Sequence, residues 1–247
     1  SERSNGGRDT FWQDMIQLIT APEELVLDRS CYSGRIKAAC DAYGTGYDFC
    51  RLYRSDKGSL LIYNSSAVIS GEWDDIGELS SFIMINSPET VECPPDIGER
   101  LGLYGYTAYH RTLFEKKASP PGEKYTETVS LMKMYDIVRA AFGVSEFDLW
   151  YADMSHRIRH GVSRAFMCDN VSCACIDFVY GGYGYVSQVA VSPDQRGNGY
   201  GRKITHMVSG ELAGMGAATR LWAYDDVYDF YRRLGFEPAA YDNIYKR

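Results

Sequence analysis

Residues 183–216, "YGYVSQVAVSPDQRGNGYGRKITHMVSGELAGMG", join an apolar run to an amphipathic one through a glycine-studded turn. The first run reads as a strand. The second places Ile204, Met207, Val208, Leu212 and Met215 on one face of a helix. A strand that leaves through such a turn directly into a helix commits the chain to an α/β architecture. The turn carries glycines at 197, 199 and 201, and the nine residues 195–203 hold Arg196, Arg202 and Lys203 with no carboxylate, in a chain of net charge −7. Free backbone N–H groups and the positive end of the helix dipole converge there, and glycine lets an anion approach the backbone. A pyrophosphate fits that description; a plain tight turn is the competing reading. The nucleoside-triphosphate loop is absent, and the spacing G-x-G-x-G does not match the dinucleotide fingerprint. Arg220 and Trp222 stand where an acidic ribose partner would be needed.

The rest of the second half follows one order. Helices are predicted over "YTETVSLMKMYDIVRAAFG", after an extended start, and over "EFDLWYADMSHRIRHG", each stopped by glycine. Strands follow over "SRAFMC" and "VSCACIDFVYG", turned by "DN". The glycine-loop unit, the strand "TRLWAY", a helix over "DDVYDFYRRLG" N-capped by Asp225 or Asp226, and a short end strand complete it. "ASPPGEK", 118–124, is the best boundary, dividing the chain into residues 1–118 and 119–247. In the first half, "FWQDMIQLI" and "RIKAACDAYG" read as helices, "FCRLYRS" and "GSLLIYNSSAVISG" as strands, "DIGELSSFIMI" as a short helix and "YGYTAYHRTLFEK" as a strand. This half shows no catalytic constellation, so its expected part is to shape a site completed by the second half.

Acidity argues against nucleic acid as a partner. No run is long and apolar enough for a bilayer, and the first residues lack a signal-peptide core, so a cytoplasmic protein without membrane contact is expected. The seven cysteines form no paired C-x-x-C units, and Cys173 and Cys175 share one strand face as small hydrophobes, so neither a disulfide framework nor a metal site is predicted. In "HRIRH", 156–160, Arg157 stands where a zinc protease needs glutamate. The segment reads as a solvated basic face, or as a contact for an acidic acceptor.

"VAVSPDQRGNGYGRKI" resembles the acyl-CoA signature of the GNAT acyltransferases, with Arg196, Gly199 and Gly201 at its defining positions, and "FYRRLGFEP" resembles that family's second signature. The resemblance covers roughly residues 124–247. It implies a mixed GNAT-type sheet flanked by helices, behind an additional N-terminal α/β domain that could be a degenerate GNAT copy. It also implies acetyl-CoA as cosubstrate. Val189, Ala190 and Val191 would pair with the pantetheine, and the amides of Arg196, Gly197, Asn198, Gly199, Tyr200, Gly201 and Arg202 would hold the pyrophosphate. The implied reaction is direct attack on the thioester by the amine of a small molecule or peptide, with Tyr231 giving a proton to the departing sulfur. The spacing of Val227, Phe230, Tyr231 and Leu234 equally suits a core tyrosine, with Tyr228 as the reserve donor. The chain departs from the family pattern at Tyr224, where many members carry asparagine, and at the strand before the loop, which offers Gln188 but no carboxylate. A water chain, Asp177 or no protein base at all would then serve. The alternative implied is a non-catalytic acyl-CoA-binding or protein-interaction module with a vestigial site.

Overall fold

The computed structural model describes residues 16–118 and 129–247. In chain order the first half runs β1 (Gln17–Leu18), α1 (Cys31–Tyr43), β2 (Cys50–Arg54), β3 (Gly58–Tyr63), β4 (Ser66–Gly71), α2 (Ile76–Asn86), β5 (Thr90–Glu92), α3 (Pro95–Arg100) and β6 (Thr107–Lys116). The second half runs α4 (Leu131–Phe142), α5 (Phe147–Arg159), β7 (Arg164–Cys168), β8 (Ser172–Tyr180), β9 (Tyr183–Val191), α6 (Tyr200–Gly214), β10 (Ala218–Ala223), α7 (Tyr228–Arg233) and β11 (Glu237–Lys246). Local chemistry sets these bounds. Ser30, Asp75 and Ser130 accept from the third amide of α1, α2 and α4, each satisfying an otherwise orphaned N–H. Gly143 ends α4 at φ 71°. Asp169 and Asn170, at φ 53° and 57°, make the β7–β8 turn with the positive φ pair a tight hairpin requires.

The eleven strands of the described residues lie in one sheet, ordered β1-β2-β3-β4-β5-β11-β6-β10-β9-β8-β7. The first half contributes four antiparallel strands (β1–β4) and the second three (β7–β9), each set followed by a parallel neighbour reached through a helix: β4 with β5 through α2, and β9 with β10 through α6. The last strand of each half then crosses over. β11 pairs with β5, β6 pairs with β10, and β6 and β11 pair with each other in the middle. The halves are thus interlocked by exchanged strands. Buried side chains cross the joint as well: Tyr32 and Ile36 of α1 pack in one cluster with Phe178 and Tyr185 of the second half. Phe114 of β6 is wholly buried in the cluster under α6 and α7.

Several sequence expectations change. "ASPPGEK" lies outside the described residues apart from Ala118, as does most of "FWQDMIQLI", whose described end is a bend leading into β1 rather than a helix. "GSLLIYNSSAVISG" is a hairpin, because Asn64 takes φ 49° between β3 and β4. β5 and α3 carry no period long enough to be read from sequence. Neither Asp225 nor Asp226 caps α7; both lie in a 3₁₀ turn, Asp225–Val227, leading into the helix. The end strand is ten residues long, because β6 and β5 supply partners along its two edges.

Candidate active site

β9 and β10 pair in parallel only from Tyr183↔Ala218 to Val186↔Leu221. Beyond Val186 the strands part, while β9 stays paired with β8 through Val191. The edge of Val189–Val191 that faces away from β8 is therefore free of a strand partner. A bulge at this point places Gln188 at φ 53°. Trp150 of α5 steadies it, its indole N–H donating to Gln188 Oε1 at 3.1 Å. A β-bulge beside a strand opening is a common way of re-aiming side chains at a site.

From Val191 the chain passes through a short 3₁₀ turn (Pro193–Gln195) into the glycine loop. Gly197 and Gly199 adopt φ 81° and 83°, and Gly199 is the N-cap of the 15-residue α6. An added Cβ at either would meet nothing within 4 Å. The glycines are thus required by backbone conformation, and the space beside them is open. The first amides of α6 have no carbonyl four residues back, and no side chain caps them. Arg196 and Arg202 are exposed with no carboxylate partner among the described residues, whereas Lys203 is drawn to Asp169, 2.9 Å away across the hairpin turn. The predicted cofactor residues therefore divide. Val189 and Val191 are half-buried at the splay, Ala190 points into the core under α4 and α5, and 196–199 and 202 lie on the surface.

Next to the splay is a cavity of about 670 Å³ lined by both halves. The sheet supplies its floor through Val68, Glu92, Arg111 and Trp222, and α1 and α5 supply walls through Tyr43, Asp153 and Arg157. Of the predicted cofactor residues Val189 lines it, and Tyr231 and Tyr224 line it too. Tyr231 is 7% exposed, its ring set against Phe114, Phe230 and Phe236. Its hydroxyl has no hydrogen-bond partner among the described residues. Burial raises its pKa to about 12, so it stays protonated at neutral pH. The core reading holds for the ring and leaves the hydroxyl a free donor. Tyr228 lies outside the cavity lining, packed on Phe114.

Two polar clusters occupy the cavity wall, and no sequence motif marks either. In the first, Arg111 bridges Glu92 (2.6 Å) and Asp242 (2.7 Å), Arg35 also pairs with Glu92, and Tyr32 donates to Asp242 at 2.5 Å. Burial alone would raise the Glu92 pKa, but the charges of Arg35 and Arg111 outweigh it and hold the carboxyl below its ordinary value. In the second, the hydroxyls of Tyr43 and Tyr63 both donate to Asp153 Oδ1 (2.6 Å from Tyr63), and Ser187 donates to Asp177 Oδ1 at 2.7 Å. The "HRIRH" segment turns inward here: His156 stacks on Tyr43 and contacts the Ala42 carbonyl at 2.7 Å, and Arg157 Nη2 donates to the Asp177 carbonyl at 3.0 Å. His156 and Arg157 thus face inward, while Arg159 and His160 stay exposed. Tyr43 and Tyr63 are 110 and 90 residues from Asp153, beyond any local pattern. The high tyrosine count was the single sequence signal for them.

All seven cysteines are free and buried, with Cys173 and Cys175 facing the core beneath α4 and α5. Among the described residues no group of His, Cys, Asp or Glu could hold a metal ion, and no helix is long and apolar enough to cross a membrane.

At the end of the β9–β10 pairing, a splayed parallel strand pair thus opens onto an uncapped, glycine-started helix. Residues 162–238 match the family model described as "Acetyltransferase (GNAT) domain"; this part of the chain is a GNAT domain. Solved structures similar along nearly the whole chain include a GCN5-related N-acetyltransferase from Kribbella flavida (16% identity, 87% of this chain and 93% of that one, TM-score 0.60). Another is a GCN5-related N-acetyltransferase from Sphaerobacter thermophilus (15% identity, 94% of each chain, TM-score 0.52). A third is an acetyltransferase of the GNAT family from Colwellia psychrerythraea (10% identity, 94% and 98%, TM-score 0.50). At these identities the likeness is one of fold. No curated protein sequence matches the chain.

Proposed function

We propose that this protein transfers an acetyl group from acetyl-CoA to an amine of a small molecule or peptide by direct attack. The observation that carries the reading is the end of β9–β10 pairing at Val186, which frees Val189–Val191 and leads straight to the loop at the start of α6. On this reading the free edge of Val189–Val191 takes the pantetheine amides, and the amides of residues 196–202 take the pyrophosphate. The thioester then lies at the splay, beside the Tyr231 hydroxyl. As the amine adds to the thioester carbon and the C–S bond breaks, the Tyr231 hydroxyl supplies a proton to the sulfur, and the nitrogen gives up one of its own, which restores the tyrosine, as it becomes an amide. No carboxylate lines this part of β9, so an amine that arrives unprotonated needs no strand base.

The first half is, on the same reading, a degenerate copy without cofactor chemistry. Its element order, parallel pair and exchanged strand repeat those of the second half. Its connection into α2, however, carries Glu72, Asp74 and Asp75, and Asp75 already caps the helix through the Glu78 amide at 2.8 Å. A helix start occupied by a carboxylate and flanked by acids repels a phosphate. This half contributes α1, β3 and β5 to the acceptor wall instead. We place the protein in the cytoplasm, in line with its lack of a membrane-spanning helix among the described residues.

The test is release of free thiol from acetyl-CoA with a panel of amines, peptides and aminoglycosides, alongside calorimetry with coenzyme A. Amine-dependent release supports the reading. Binding of coenzyme A without turnover of any amine would instead make the chain an acyl-CoA-binding module.

A further inference from the structure

Asp153 and Arg157 stand four residues apart on α5, and both line the cavity. At that spacing a carboxylate and a guanidinium share one helix face and ordinarily meet. Here they do not, because each is held elsewhere. Tyr43 and Tyr63 both donate to Asp153 Oδ1, and Arg157 Nη2 donates to the Asp177 carbonyl at 3.0 Å.

What remains on the two groups is complementary. Asp153 Oδ2 accepts from nothing among the described residues. Arg157 Nε is buried with no acceptor, and Nη1 also lacks one among the described residues but is not buried. A buried donor without a partner costs free energy, so local satisfaction does not explain where this side chain is held. Its charge, by contrast, is already met. Burial alone would lower the Arg157 pKa, but the charges of Asp177 and then Asp153 outweigh it and hold the pKa above its ordinary value. The charged side chains on the cavity lining are matched too, Arg35, Arg111 and Arg157 against Glu92, Asp153 and Asp177. A cation placed in the gap would face Arg157, and an anion would face the two aspartates. A neutral group that accepts at one atom and donates from another meets neither objection.

We propose that the gap between Asp153 and Arg157 is a subsite for an amide group, its carbonyl accepting from Arg157 and its N–H donating to Asp153, and that the acceptor class is an amine carrying a carboxamide or a peptide bond. This inference rests on the acetyl-transfer reading. One helical turn separates the two residues, about 6 Å along the axis, a gap that an amide with a hydrogen bond at each end can bridge. The amide itself does not react. Asp153 and Arg157 act on specificity, orienting the far end of the acceptor so that its amine meets the thioester.

The experiment measures thiol release with 4-aminobutanamide, its N,N-dimethyl form, 4-aminobutanoate and butylamine, and with the hexyl homologues of all four, whose longer chain reaches farther from the splay. At one chain length or both, kcat/KM for the amide should exceed that for the alkylamine by about 10- to 100-fold, carried by KM. The dimethyl amide keeps the carbonyl and has no N–H, so it should fall between them. The carboxylate should gain nothing over the alkylamine. Asp153→Asn, whose amide oxygen can still accept from both tyrosines, replaces Oδ2 by a donor and should bring the amide down to its dimethyl form. Calorimetry with coenzyme A bound, where no turnover occurs, should show amide binding that Asp153→Asn weakens about tenfold or more. Turnover of amide and alkylamine at equal kcat/KM at both chain lengths, or a carboxylate that matches the amide, would overturn the subsite and leave acetyl transfer standing. An amide preference that survives undiminished in Asp153→Asn would also overturn it. Amide binding weakened in Asp153→Asn, without turnover of any amine, would keep the subsite and reject acetyl transfer; neither binding nor turnover would overturn both. If Asp153→Asn does not fold, the wild-type order of the four compounds still decides, because it needs no variant.

Discussion

Tyr231→Phe separates the two parts this tyrosine can play. The substitution removes one hydroxyl and keeps the ring against Phe114, Phe230 and Phe236, at centroid distances of 5.7, 5.1 and 5.7 Å. Since the hydroxyl has no protein partner among the described residues, its loss should change stability by less than about 1 kcal/mol. A proton donor to the leaving sulfur is worth about 10²- to 10⁴-fold, so kcat should fall by that factor, equivalent to about 3–5 kcal/mol in the barrier. KM for acetyl-CoA should hardly move, because the ring and the glycine loop are unchanged. With its pKa raised to about 12 by burial, Tyr231 should add no alkaline limb to the wild-type pH–rate profile below that value. Steady-state thiol release between pH 6 and roughly 10, with thermal melts of both proteins, reads all of this. An unchanged kcat with a lowered melting temperature would refute the assignment and make Tyr231 structural.

Three other outcomes follow from the geometry. Gly199→Val places a β-branched residue at φ 83°, costing about 1–2 kcal/mol locally. It also fills the open space beside the loop, so coenzyme A affinity should drop at least about tenfold while the fold persists; unchanged affinity by calorimetry would move the anion site elsewhere. Glu92→Gln breaks a buried pair and leaves Arg35 and Arg111 short of a charge, a loss of about 3–5 kcal/mol measurable by urea unfolding. Because the folded Glu92 pKa lies below its ordinary value of 4.5, its contribution is present above that pH and disappears as pH falls through the lower folded value. The variant should therefore show a flatter acid limb of stability, and an identical limb would contradict the assignment. A chain of residues 119–247 lacks β6, which fills the gap between β10 and β11 and buries Phe114. It should fail to unfold cooperatively, and a sharp monomeric transition would show that the strand exchange is dispensable.

What could be read from the sequence was what is local. The loop from Val189 to Arg202 declares itself because its glycines, its charges and the flanking periods lie within one short stretch. The hairpin at Asp169–Asn170 and the glycine stop of α4 are local in the same sense. Strand exchange was not legible: β6 and β11 look like ordinary terminal strands, and their partners are fixed only when the opposite half has folded. Nor was the cavity wall legible. Asp153 meets Tyr43 and Tyr63 across a joint that brings α5 against α1 and β3, and Glu92 meets Arg111 and Arg35 through pairings with no sequence period. Tyr231 shows the limit of periodicity most clearly. A helical spacing of apolar residues marks a core face, and a core ring whose hydroxyl ends in a cavity leaves the same mark.

Amide hydrogen exchange with and without saturating coenzyme A tests the central claim most directly, because it reports where backbone N–H groups acquire partners. The splay and the loop predict protection of the amides of Val189 and Val191, which face away from β8, and of residues 197–202, and no change at residues 72–76, where Asp75 already caps α2. Protection at residues 72–76, or none at 197–202 with ligand bound, would contradict the account.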